Sequence, residues 1–116
     1  MQNAVADNIA SFLKQYEPFH FIELEDLKSI VLESNIITLQ KGKSLFKIND
    51  PLHESFYIVY GGVVHLTKIL DAEEILHSKC YAGNLFGLRP FFAKNNYVLN
   101  AVANEDAVLY AIPIAI

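Results

Sequence analysis

Apolar residues follow helical spacing in the first part of the chain and strand spacing after it. Between residues 4 and 16 they recur every three or four positions, at Val5, Ile9, Phe12, Leu13 and Tyr16. This spacing predicts an amphipathic helix that Pro18 ends. A second helix is predicted over 23–34, with acidic residues in its first turn, where they suit the helix dipole. Residues 1–34 are therefore predicted to form an N-terminal helical segment.

From Asn35 onward, short apolar stretches alternate with turn residues. The predicted strands are 36–40, 44–47, 55–60, 63–68, 74–81, 97–103 and 107–112. The first and second would pair across the turn at Gly42, and Gly61-Gly62 separates the third from the fourth. This pattern predicts a mainly β domain, an antiparallel, jelly-roll-like β-roll of about eight strands over residues 35–116, flanked by the helices.

Residues 83–103 form the stretch most suggestive of a ligand site. Gly83 and Gly87 flank an apolar step, and Pro90 permits a short turn of helix after it. Glycine lets a bound group approach the backbone, and free N–H groups of a first helical turn attract anions. The stretch has the form of an anion cradle, although such a glycine pair is more often plain turn chemistry. Its Arg89, the only arginine in the chain, would either reach an anion there or point outward to an acid.

Composition and charge narrow the function classes. A hydrophobic fraction of 53% and a charged fraction of 19% indicate one globular domain. The net charge is −4 and the nine basic residues form no cluster, so we expect no direct nucleic-acid binding. Neither a membrane-spanning run nor a signal peptide is present, which predicts a cytoplasmic protein without a membrane partner. The single cysteine, Cys80, is expected to be a small buried strand residue.

No catalytic constellation can be located in the sequence. The acidic residues cluster at a helix start and in turns, where a solvated role is the default. Three histidines, His20, His53 and His77, are scattered, so we expect neither a metal site nor a cofactor. The segment is therefore predicted not to be an enzyme. The enzymatic alternative, a cupin-like metal protein, would need several His or Glu side chains pointing into the barrel.

Four motifs stand in a recognisable order along the chain: 41–46, 56–64, 83–87 and 108–112. Their order and spacing resemble the cyclic nucleotide-binding domain family, which includes the catabolite activator protein and the regulatory subunit of protein kinase A. The resemblance covers about residues 19–112. It implies a β-roll with a phosphate-binding cassette, here 83–103, and a C-terminal lid helix expected beyond Ile116 in a longer protein.

In the family, a Glu after the cassette's Phe-Gly holds the ribose hydroxyl, and an Arg pairs with the cyclic phosphate. Aligned without a gap, Phe86-Gly87 match, whereas Leu88 takes the Glu position and Tyr97 the Arg position. Leucine offers no acceptor, and tyrosine offers one neutral donor in place of a cation. The resemblance therefore implies weak, altered or lost cyclic nucleotide binding. The candidate ligand-binding residues on the cassette are Gly87, Leu88, Arg89, Tyr97 and Val98.

The predicted hairpin of 63–68 and 74–81 adds two candidates. If its turn is centred between Asp71 and Ala72, opposed residue numbers sum to about 143, which places His65 opposite Ser78. The family alignment implies that both positions face the nucleotide pocket. His65 would then contact a ligand or switch with pH, or serve as a satisfied wall residue.

The cassette 86–92, with Tyr97 and 111–113, resembles a bacterial subgroup in which the domain precedes CBS and nucleotidyltransferase-like domains. Together these features predict a regulatory module that senses a small anionic ligand, such as a cyclic or linear nucleotide, and biases a downstream effector domain. The alternative is a scaffold that has lost its ligand and forms protein contacts, including a homodimer.

Overall fold

The computed structural model describes residues 3–17, 19–88 and 96–114. The helices are α1 (Asn3–Leu13) and α2 (Leu24–Leu32), with a short 3-10 turn at Phe19–Phe21 between them. The strands are β1 (Asn35–Leu39), β2 (Ser44–Phe46), β3 (Ser55–Gly61), β4 (Val64–Leu70), β5 (Glu73–Cys80), β6 (Leu85–Phe86), β7 (Asn100–Ala103) and β8 (Ala107–Pro113). They form two antiparallel sheets, in the orders β1-β8-β3-β6 and β2-β7-β4-β5. The predicted mainly β roll with flanking helices is confirmed.

Side chains along β3 and β8 alternate between the two faces of their sheet, and this alternation divides the interior into two cores. On β3, Tyr57 and Val59 point between the sheets, whereas Ile58 points toward the helices. On β8, Leu109 faces the first core and Tyr110 the second. The β1-β8-β3-β6 sheet is therefore covered on both faces, by the other sheet and by the helices. This two-residue period explains why both strands read as nearly continuous apolar runs.

Both predicted helices are confirmed, although each ends before the predicted boundary. The first stops at Leu13, and the N–H of Tyr16 bonds to the Leu13 carbonyl over three residues, as in a tightened final turn. Pro18 lies outside the described residues. None of the helices in the described part of the chain has the length and hydropathy needed to cross a membrane.

The predicted pairing of the first two strands is wrong. Strand β1 pairs with β8 in one sheet, and β2 pairs with β7 in the other. Between them, the N–H of Gly42 donates to the Ala103 carbonyl (2.8 Å) and that of Lys41 to Asp106 Oδ1 (2.8 Å). These contacts tie the turn to the β7–β8 connection, so the chain crosses between sheets instead of folding back.

The β4–β5 hairpin is confirmed, but its predicted register is only partly right. From the turn to Thr67, which pairs with Leu76, the pairs are those predicted. A bulge then adds one residue to β5, so Leu66 pairs with Ser78 and His65 with Lys79. The predicted pairing of His65 with Ser78 is therefore wrong.

The predicted strand 97–103 is confirmed only from Asn100 onward. The backbone of Tyr97 bonds instead to the β2–β3 connection, because Asn49 N donates to Tyr97 O (2.7 Å) and Tyr97 N donates to Asp50 O (3.2 Å). The two-residue strand β6 was not predicted. The predicted short helix near Pro90 lies outside the described residues.

Cys80 ends β5 in the core between the sheets, where it is 5% exposed. The prediction of a buried strand cysteine is confirmed. Burial raises the pKa of its thiol to about 11, because an apolar surrounding disfavours the thiolate. The thiol is therefore almost entirely protonated at neutral pH, which suits a packing role and not a nucleophilic one.

Candidate functional site

A pocket of about 210 Å³ opens where β6 and the segment before β7 meet strands β2, β4 and β5. Its described lining residues are Phe46, Leu66, His77, Leu85, Phe86, Gly87, Leu88, Tyr97 and Leu99. Aromatic and aliphatic side chains dominate this wall. Within the described lining, His77 and Tyr97 are the only polar side chains, and neither lysine nor arginine contributes.

Tyr97 is packed into this wall and is 1% exposed. Its ring stacks on that of Phe46, with centroids 3.7 Å apart and planes 6° from parallel. Its hydroxyl oxygen accepts a hydrogen bond from the backbone N–H of His53 (3.2 Å). Burial, partly offset by that bond, raises the pKa of Tyr97, so the side chain is uncharged at neutral pH.

A second tyrosine extends this network behind the pocket. The Tyr57 hydroxyl and His53 Nδ1 share a hydrogen bond of 2.6 Å, and the Tyr57 ring stacks on Phe86 with centroids 5.6 Å apart. Burial, with a smaller contribution from Tyr97, raises the pKa of Tyr57 to about 12. His53 thus bonds both tyrosines, one through its ring and one through its backbone. No local pattern in the sequence marks His53 as part of this network.

Gly87 has a structural reason to be glycine. Its φ is +86°, and an added Cβ would lie 3.3 Å from Tyr57 Cδ2. A side chain here would be strained in the backbone and crowded against the aromatic wall. Gly87 and Leu88, both predicted site residues, line the pocket. Arg89 and the rest of 89–95 lie outside the described residues, so its predicted anion contact stays a prediction.

The remaining predicted site residues are placed differently. His65 is half-buried and pairs with Lys79 and Val102, and it is not part of the described lining. Val98 is 59% exposed and also lies outside that lining. Ser78 Oγ shares a hydrogen bond with His77 Nδ1 (2.8 Å). His77 is therefore the histidine that reaches the pocket, and no local pattern indicates it, because a bulge does not change local composition.

Among the residues that the structure describes, no three His, Cys, Asp or Glu side chains come together as a metal site would require. A cupin-like centre needs such a cluster on neighbouring strands. The described part of the barrel interior is instead aromatic and aliphatic.

The family model described as the cyclic nucleotide-binding domain matches residues 36–115. The chain belongs to this family. A comparison with curated protein sequences gives no significant match. The pocket described above therefore lies within a cyclic nucleotide-binding domain.

Solved structures confirm the fold of this cyclic nucleotide-binding domain. The sensor domain of the transcriptional regulator DNR from Pseudomonas aeruginosa is similar over 94% of this chain and 73% of its own, with a TM-score of 0.84 and 21% identity. The regulatory domain of Toxoplasma gondii PKA, solved with cAMP, is similar over 95% of this chain and 43% of its own, with a TM-score of 0.85 and 18% identity.

A third similar structure is the regulatory subunit of a cAMP-independent protein kinase A from Trypanosoma cruzi, bound to guanosine. It is similar over 97% of this chain and 40% of its own, with a TM-score of 0.84 and 14% identity. The chain thus spans less than half of either kinase regulatory protein. At these identities the likeness establishes the fold.

Proposed function

We propose that this domain is a ligand-sensing regulatory module that binds cyclic nucleotides weakly and biases an effector domain in a longer, cytoplasmic protein. The observation that carries the proposal is the burial and hydrogen bonding of the Tyr97 side chain. Tyr97 occupies the position that aligns with the family's phosphate-binding arginine. Its ring is stacked in the core and its hydroxyl is bonded to His53. Leu88, aligned with the ribose-binding glutamate, contributes an apolar wall.

Without these two side chains, a cyclic nucleotide would lose its contacts at the cyclic phosphate and at the ribose. Hydrogen bonds to charged groups contribute about 1.5–3 kcal/mol each, so two missing contacts correspond to a loss of more than about a hundredfold in affinity. A nucleoside has no phosphate, so its affinity falls less than that of a cyclic nucleotide when the phosphate contact is missing. The guanosine bound in the Trypanosoma cruzi protein supports this reading, because guanosine carries no phosphate.

Calorimetric titration with cAMP, cGMP, adenosine and guanosine tests the proposal. We expect each nucleoside to bind at least as tightly as its cyclic phosphate, because the described pocket wall contributes no lysine or arginine to a phosphate. Cyclic AMP binding more than tenfold tighter than adenosine would contradict this expectation. If Arg89→Ala abolished that tighter binding, the phosphate contact would have moved to Arg89.

Restoring both family side chains is the complementary test. The double variant Leu88→Glu with Tyr97→Arg is expected to raise affinity for cAMP at least about tenfold, since each restored charged contact contributes about 1.5–3 kcal/mol. The single variants serve as controls, and circular dichroism establishes folding. Unchanged cAMP affinity in a folded double variant would count against the cassette alignment.

A second candidate function is an interaction scaffold that dimerises without a ligand. It is favoured by two exposed apolar side chains on one face of the β4–β5 hairpin, Ile69 and Leu76, which are 52% and 45% exposed. Clustered exposed apolar residues often mark protein contacts. No heat from any nucleotide or nucleoside, with the protein folded, would favour this candidate over the sensor.

A further inference from the structure

His77 is the extra residue of the β5 bulge. Its neighbours pair with β4, Leu76 with Thr67 and Ser78 with Leu66, whereas His77 has no opposed partner. A bulge departs from strict alternation and re-aims the side chain that it carries. Here that change brings His77 into the pocket lining beside Leu66.

The imidazole of His77 is held at one nitrogen and available at the other. Its Nδ1 shares a hydrogen bond of 2.8 Å with the hydroxyl of Ser78. Within the described residues its Nε2 has no hydrogen-bond partner. The residue is exposed, which places this ring at the rim of the pocket and not in its interior. The rim thus offers one polar contact to a ligand that is otherwise surrounded by apolar side chains.

We propose that the pocket takes a flat, mainly apolar ring compound with one hydrogen-bonding edge, and that His77 is the residue that selects for this edge. The proposal rests on the proposed function, because it assumes that the pocket binds a ligand. The rings of Phe46, Phe86 and Tyr97 line the pocket together with four leucines, so its wall offers apolar contacts to a ring compound. The pocket, of about 210 Å³, exceeds the roughly 150 Å³ of a protein cavity known to bind benzene, so a bicyclic ring fits its size.

Two bicyclic probes of similar shape separate the hydrogen bond from the apolar contacts. Benzimidazole has ring nitrogens at one edge, whereas indene is a hydrocarbon. Both are titrated into the isotopically labelled chain and followed by amide chemical shifts. We expect His77→Ala to weaken benzimidazole binding about two- to tenfold, as for one lost hydrogen bond, and to change indene binding less than about twofold.

The matched control is His65→Ala, because His65 lies on the paired strand but not in the described lining. It is expected to leave the binding of both probes unchanged. His77→Gln is expected to recover part of the benzimidazole affinity, since its amide can still bond at the rim. Because His77 is exposed, the two His77 variants are expected to fold like the parent.

Equal weakening of both probes by His77→Ala, or a loss of benzimidazole affinity in His65→Ala, would overturn the role of His77. Failure of both probes to bind the parent chain would overturn the ring-ligand inference as a whole. The nucleoside titration decides the proposed function separately: guanosine or adenosine binding without binding of either probe would keep the sensor and reject this ligand class.

Discussion

Replacing Gly62 with alanine is expected to lower the free energy of unfolding by about 3 kcal/mol or more. Gly62 has a φ of +79°, and an added Cβ would lie 2.3 Å from the carbonyl oxygen of Asp106 and 2.7 Å from the Cα of Ala107. These are backbone atoms at the start of β8, and the neighbouring turn is fixed by a bond from Asn104 N to Val63 O (2.8 Å). The clash therefore cannot be relieved by rotating a side chain.

Gly61→Ala is the matched control for Gly62→Ala. Gly61 precedes it in the chain, has no positive φ, and has no atom within 4 Å of an added Cβ. Its replacement is expected to change stability by less than about 1 kcal/mol, as at other unstrained positions. Urea unfolding followed by circular dichroism gives both values. Equal losses would show that the conformation at Gly62 is not the constraint described here.

Tyr97→Ala is expected to destabilise the domain by about 3–5 kcal/mol, the usual cost of truncating a buried aromatic side chain. The substitution removes the stacking on Phe46 and leaves the N–H of His53 without its acceptor. Tyr97→Phe keeps the ring but also leaves the N–H of His53 without its acceptor, so about 1–3 kcal/mol is expected. The free energy of unfolding from urea titration measures both.

Tyr81→Ala is the control for the loss of a tyrosine as such, because Tyr81 is 52% exposed. Its replacement is expected to cost less than about 1 kcal/mol. A loss in Tyr97→Ala no greater than that in Tyr81→Ala would mean that Tyr97 is not packed in solution. The proposal of weak cyclic nucleotide binding would then lose its main support.

The packing of Tyr97 is also expected to affect the stability of the Leu88→Glu and Tyr97→Arg double variant. An arginine at this position would place a cation beside Phe46 and remove the acceptor for His53. Burying an unpaired charge is costly, so the Leu88→Glu and Tyr97→Arg variant should be less stable without ligand than with it.

Much of the fold was determined by local sequence patterns. The three- and four-residue spacing of apolar positions predicted both helices, and alternation with regular turns predicted the strands. The hairpin at Asp71-Ala72 was predictable because a short polar turn separates two consecutive strand-like stretches. The positive φ of both turn residues became known only from the structure. The resemblance to the family pointed to Gly87, Leu88 and Tyr97 as candidate ligand-binding residues, and all three line the pocket.

Tertiary structure alone decided which strands are neighbours and which side chains meet in the pocket. Strands β1 and β2 are adjacent in sequence yet lie in different sheets. The turn between them donates hydrogen bonds to Ala103 and Asp106, at the connection between β7 and β8. One inserted residue in β5 brings His77 to the pocket, since a bulge changes the direction of side chains without changing local composition. Alternation on β4 places Leu66, and not the adjacent His65, in the core. The hydrogen bond from His53 to Tyr97 joins residues far apart in the chain, and only folding brings them together.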